Sequence, residues 1–208
     1  MVKSYAKLRI IMGDSRDAPV RQTLIESGIP THWRDLEKSA GRILSECGFE
    51  VEVGATLDSA RGLVKFDVCA RDASAAPSTL IVVECKLWRR AVPQGEVHRF
   101  RTTLADAGAG IGFVVSSRGF QAGARRAAIH TNVRLVTWEE FQSIFIERWY
   151  QNHMLNVIRR ESLRLFGYTV DYGAFFMELF WHSQDVHEEA QELSDKYYSL
   201  ANFTRTLL

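Results

Sequence analysis

Apolar residues recur along the chain in two alternating periods, and the switches between them predict the elements. Trp33, Leu36, Ala40, Ile43, Leu44 and Cys47 fall at helical spacing and Gly48 follows as a stop, which predicts an amphipathic helix. Phe49, Val51 and Val53 then alternate with Glu50 and Glu52, the period of a half-buried strand. DSARG predicts a turn. LVKFDVCA and TLIVVECKLW predict two further strands, separated by the small, polar loop DASAAPS. Helical spacing returns at Val97, Phe100, Leu104 and Ala107 and ends in the glycine-rich break GAG. IGFVVSS is a buried strand, Gly119 to His130 a short alanine-rich helix, and VRLV a last short strand. Thr137 followed three residues later by Glu140 is a capping-box signature, and it opens a long helix beginning TWEEF. Phe141, Ile144, Phe145, Trp149, Leu155 and Ile158 continue that helix toward a break at Gly167.

The order is helix, three strands, helix, strand, helix, strand, then helices. Strands joined by helical crossovers argue for an α/β domain, a mixed sheet with helices on both faces. The domain is expected over residues 31–140. Residues 1–30, punctuated by Pro19, Gly28 and Pro30, read as an N-terminal arm, and residues 141–208 as a helical C-terminal extension.

Composition narrows the function classes. The 208 residues are 46% hydrophobic and 25% charged, ordinary for a globular chain. The formal charge of +1 excludes a polycation. No window approaches the roughly 18 apolar residues of a membrane span, so no membrane association is expected. The first residues carry no apolar run with a small-residue cleavage site, which argues against secretion. Cys47, Cys69 and Cys85 form an odd, widely spaced set without a CxxC pair, so a disulfide framework and a zinc site are both unsupported and a reducing cytoplasm is expected. Charge is unevenly distributed. Glu84 to Arg134 holds nine Lys or Arg against three acids, whereas Gly167 to the end holds two against seven. Such a reversal points to a polyanion-facing half and an acidic appendage.

The candidate chemistry lies on two adjacent strands. Alternate strand residues share a face, so Glu84 and Lys86 point one way while Val83 and Cys85 point the other. Both charged residues end the apolar run LIVV, where a charge is costly unless it is paired or holds a metal. Asp67 likewise interrupts an apolar strand, and a hairpin pairing would bring it beside Glu84. Two adjacent carboxylates repel, and a divalent cation removes that penalty. Magnesium prefers oxygen ligands and suits one or two carboxylates plus a substrate phosphate. A lysine two residues on can orient a metal-bound water or stabilise developing phosphorane charge. Lys86, Arg89, Arg90, Arg99, Arg101, Arg118, Arg125 and Arg126 are the candidate phosphate contacts, supplying affinity without reading sequence. A P-loop and a G-x-S-x-G elbow are both absent.

The ordered set WRDLEKSAGRILSECGFEVEV, FDVCA, VVECKLWRRAV, GIGFVVSSRGFQAGARRAA and VRLVTWEEF resembles the PD-(D/E)xK nuclease superfamily, and within it the Mrr-like restriction endonuclease catalytic domain. The resemblance covers about half of the chain. It implies a restriction-endonuclease-like mixed sheet core of αβββαβ order and a magnesium-dependent endodeoxyribonuclease, with manganese as a substitute. It further implies that Asp67 and Glu84 are metal-binding carboxylates, that the backbone carbonyl of Cys85 is a further ligand, and that Lys86 is the catalytic lysine. Glu37 matches a glutamate of the first helix that faces the same site. Where many relatives have a glycine two before the aspartate, this chain has Lys65, and it has Glu84 where relatives of this type often carry glutamine.

Two function classes follow. One is a metal-dependent endonuclease acting on double-stranded DNA in restriction or phage defence, with a repair or junction nuclease as a variant. The other is a nuclease-like fold used as a nucleic-acid-binding or assembly subunit without cleavage. The aromatic block AFFMELFWH and the acidic residues after it are expected to bury surface against a second copy of the chain, as a homodimer, or against a dedicated protein partner.

Overall fold

The computed structural model describes residues 24–74 and 76–161. The predicted helix is α1 (Trp33–Glu46), closed by Cys47 and by Gly48 at a φ of 85°. It leads into strand β1 (Glu50–Val53). The stretch LVKFDVCA, expected to form one strand, is two: β3 (Gly62–Lys65) and β4 (Val68–Asp72). Thr56–Ser59, partly within the expected turn, is strand β2.

The reason for the division is a bend in one long hairpin. β1 pairs with β4 and β2 with β3, both antiparallel and in the same continuing register, Val53 opposite Val68 and Thr56 opposite Lys65. Between them Gly54 takes a φ of 71°, a left-handed conformation that favours glycine. Its N–H donates to the Asp67 carbonyl (2.7 Å), and the Phe66 N–H donates to the Ala55 carbonyl (2.8 Å). The outer half of the hairpin therefore forms a separate ribbon, and Asp67 stands at the bend.

Strand β5 (Thr79–Lys86) pairs antiparallel with β4; β6 (Ile111–Ser116) and β7 (Val133–Val136) follow in parallel, giving a five-stranded sheet of order β1-β4-β5-β6-β7. Two crossover helices, α2 (Gln94–Asp106) and α3 (Ala122–Ala128), cover one face, while α1 and α4 (Trp138–Trp149) cover the other. The two faces divide β5 by alternation. Ile81, Val83 and Cys85 join Leu36, Ile43 and Leu44 of α1, and Val82 joins Val97, Phe100 and Leu104 of α2. This is the expected mixed sheet flanked by helices.

α4 opens with the expected capping box, Thr137 and Glu140 exchanging side-chain and backbone bonds. The expected boundary at 140/141 falls inside this helix. Beyond it, Phe141 and Phe145 are buried, in contact with each other (5.0 Å between ring centroids) and edge-on to Phe113 of β6. Arg148 extends the attachment, donating to the Cys47 carbonyl and forming a two-point ion pair with Asp72. A π-helical turn follows at Tyr150–Met154. No helix among the described residues is long and apolar enough to cross a membrane.

The contrast between two residues of α4 tests its place in the core. Phe141→Ala is expected to cost about 3–5 kcal/mol, and Ile144→Ala, 41% exposed, within about 0.5 kcal/mol. Urea unfolding of the two variants measures both.

Candidate active site

The β4–β5 ladder sets the site. Val68 lies opposite Val83, so one step further Asp67 comes opposite Glu84, as the hairpin pairing anticipated. Because the chain bends at Asp67, its carboxylate is released from the strand pattern, and Oδ2 accepts the N–H of Cys85 at 2.7 Å. On β5, Glu84 and Lys86 lie on the side of Val82, facing α2, while the Cys85 side chain is buried on the opposite face.

Lys86 is only 9% exposed. A buried ammonium needs partners, and it has three. Its Nζ donates to Glu84 Oε1 at 2.5 Å, lies 3.6 Å from Glu96 Oε2 on α2, and sits 5.1 Å from the centre of the Trp88 ring. Glu96 reaches this position because α2 packs hard against the sheet. A side chain in place of Gly112 would meet the Phe100 ring at 2.6 Å. Glu96 in turn pairs with Arg99 at 2.5 Å. Sequence reasoning missed Glu96, since an acid in the first turn of a helix is accounted for by the helix dipole alone.

The carboxylates repel one another. Burial, then the charge of Asp67, raises the Glu84 pKa above its usual range, and this outweighs the lowering by Lys86. Glu37, half-buried on α1, is raised by burial first and then by Asp67, with a smaller push from Glu84. Glu37 thus feels the charges of Asp67 and Glu84 from α1, on the other side of the sheet. Burial, followed by Asp67, Glu37 and Glu84, drives the Cys85 thiol well up; Cys47 and Cys69 are pushed by burial to about 12 and about 11. Such thiols are neutral and poor nucleophiles. Among the described residues, no three His, Cys, Asp or Glu side chains form a set arranged to hold a metal ion.

A cleft opens over Glu84 and Lys86. Val64, Lys65 and Phe66 form one side, and Glu96, Arg99, Phe100 and Thr103 of α2 the other. Arg89 and Arg90 are exposed in the loop after β5, and Arg118 in the loop after β6. The two loops are joined by Ser117, whose N–H donates to the Lys86 carbonyl and whose hydroxyl donates to the Trp88 carbonyl. They therefore lie together at the carboxyl ends of the parallel strands. Arg125 and Arg126 are exposed on α3, Arg125 over the Phe120 ring. Arg101 departs from the expected set: half-buried, it donates to the Ala127 carbonyl and ties α2 to α3.

The chain matches the model of a restriction endonuclease family, the Mrr catalytic domain, over residues 30–145. No curated protein matches it. Among solved structures it is similar to a protein of unknown function, AF1548, at 16% identity over 82% of this chain and 99% of that one, with a TM-score of 0.47. It is also similar to the restriction endonuclease MspJI, solved with a 27-mer oligonucleotide, at 22% identity over 59% of this chain and 29% of that one, with a TM-score of 0.36. A third similar structure is the DNA modification-dependent restriction endonuclease AspBHI, at 15% identity over 61% of this chain and 39% of that one, with a TM-score of 0.35.

The raised Glu84 pKa has a thermodynamic sign. Its folded value lies above the ordinary 4.5, so the ionised group lowers stability once pH climbs past the folded value and has no such effect below the ordinary one. Glu84→Gln is therefore expected to raise Tm by a few degrees at neutral pH in EDTA. The gain should vanish as pH falls below 4.5, which thermal melts across pH measure.

Proposed function

We propose, proceeding from the fact that this chain belongs to the restriction endonuclease family through an Mrr-type catalytic domain, that it hydrolyses phosphodiester bonds of double-stranded DNA with a divalent cation, magnesium or manganese in its place. The observation that carries this reading is the juxtaposition of Asp67, Glu84 and Lys86 at the bend of the hairpin and the end of β5. A pure binding protein has no use for two carboxylates beside a phosphate.

The donor set fits such an ion. Burial first, and then the charge of Asp67, raises both Glu84 and Glu37, and a counter-charge at Asp67 and Glu84 would relieve the repulsion between them. Asp67 and Glu84 would hold the cation, with the Cys85 carbonyl as a third oxygen, a hard ligand set that suits magnesium. When bound, a divalent ion acidifies a coordinated water and polarises the phosphoryl oxygens. Lys86 supplies a fixed positive charge. Its Nζ is held beside Glu84 and Glu96, so it can donate to an oxygen on which charge builds in the transition state. Glu37 adds a third carboxylate near Asp67 and Glu84 from α1. Arg89, Arg90 and Arg118, with Arg125 and Arg126, give the DNA backbone exposed cations around the cleft.

The biological setting consistent with this activity is restriction or phage defence in the cytoplasm, where three buried free thiols remain reduced. A double-strand cut needs two active sites. The aromatic block from Ala174 to His182, expected to join two copies or a partner, lies outside the described residues.

Plasmid cleavage in magnesium, manganese and EDTA tests the reading. The wild type is expected to cut with either metal and not in EDTA. Asp67→Ala and Glu84→Ala should abolish cutting while DNA binding survives or tightens, and Lys86→Ala should lower kcat by about 10²–10³. Undiminished cutting in EDTA overturns the proposal. Binding without cutting in either metal assigns the chain instead to the class of nuclease-fold binding subunits. In a binding assay, Arg89→Ala with Arg90→Ala should weaken all DNA sequences alike and reduce the log–log salt slope by about 0.9 per lost phosphate contact.

A further inference from the structure

Lys65 is the last residue of β3, next to the bend that carries Asp67. Its side chain lines the cleft with Glu84, Lys86, Glu96 and Arg99. Its stem lies against the bend, Cε 3.9 Å from where a side chain on Gly54 would begin. Its charge reaches Glu37 across the hairpin and draws that carboxyl down. Lys65 is exposed, and among the described residues it makes neither a hydrogen bond nor an ion pair.

The other cations of the cleft are already engaged. Lys86 lies between Glu84 and Glu96, and Arg99 is bound to Glu96. Lys65 thus differs from both: it borders the carboxylates, faces solvent, and is unpaired. The cleft lining holds two carboxylates (Glu84, Glu96) and three cations (Lys65, Lys86, Arg99), and Asp67 stands next to it, one step beyond the Val68–Val83 pair. A phosphodiester brings a further negative charge, and Lys65 is the lining cation not already held by a carboxylate. Without Lys65 the carboxylates around the cleft are less offset, and their negative charge opposes the phosphate at distances where screening is weak.

We propose that Lys65 is a phosphate-binding residue of the cleft, its ammonium group taking an oxygen of the DNA strand that lies across Asp67 and Glu84. The inference rests on the nuclease reading above and adds the group that holds the substrate. Lys65 thereby occupies, with a long cation, the position two before the aspartate.

The experiment uses the full chain and a fluorescein-labelled DNA duplex, with anisotropy measured over a salt series in EDTA and again in calcium. Lys65→Ala is expected to weaken binding several-fold and to lower the log–log salt slope by about 0.9, one phosphate contact. Lys65→Arg should restore both, and Tm should be unchanged because the side chain is exposed and unpaired. Wild-type affinity and slope in Lys65→Ala overturn the inference, and so does a loss that Lys65→Arg does not rescue. The binding arm requires no cutting. A wild type that binds but never cuts therefore removes the catalytic reading and leaves the Lys65 contact measured, whereas a wild type that cuts beside an unaffected Lys65→Ala removes Lys65 alone. A wild type that binds no duplex overturns both.

Discussion

The antiparallel register of β4 on β5, Val68 opposite Val83, is the constraint from which the rest of the site follows. It brings Asp67 opposite Glu84 at the end of the ladder and lets the Cys85 N–H close on the Asp67 carboxylate. A slip of one residue would send every β5 side chain to the other face. Val83 and Cys85 would then leave the α1–α4 core, and Glu84 and Lys86 would enter it. The two buried layers therefore lock this register, because each holds the apolar half of β5 that the other cannot accept.

The bend at Gly54 does a second job. A straight hairpin would have kept Asp67 within its ladder and carried Lys65 away along the strand. By turning the chain, the Gly54 and Phe66 backbone bonds expose the carboxylate at the edge of the sheet and bring the β2–β3 ribbon alongside α2. The ribbon is fastened there by Arg61, which pairs with Asp106 at the far end of that helix. Fold and charge are coupled at this point. The same geometry that gathers Glu37, Asp67 and Glu84 makes them repel, and only the basic residues around them and a bound cation can offset it.

Stability and chemistry are divided between the two ends of the sheet. At the end away from the cleft, Arg148 joins Asp72 to the end of α1 and holds the Asp72 carboxyl far below its usual range. At the cleft end Glu84 and Glu37 are raised instead, by burial and by the charge of Asp67.

Periodicity alone located α1, the sheet strands β1 and β5 to β7, the helices after them, and the faces of Glu84 and Lys86, because alternation and helical spacing are local properties of a half-buried chain. Asp67 was legible for the same reason, as a charge interrupting an apolar run. The division of LVKFDVCA was hidden, since a bend in a hairpin depends on which backbone groups meet across it. The burial of Phe141 and Phe145 was equally hidden, for a helix shows its apolar face but not what covers it. Glu96 and Lys65 were the least visible as parts of the site. Each looks like an ordinary surface charge on its own element, and they become neighbours of Glu84 only because α2 packs on Gly112 and the ribbon turns at Gly54. Residue types and spacings thus specify which groups can do the chemistry, whereas their meeting in one cleft arises from long-range packing, which no local pattern encodes.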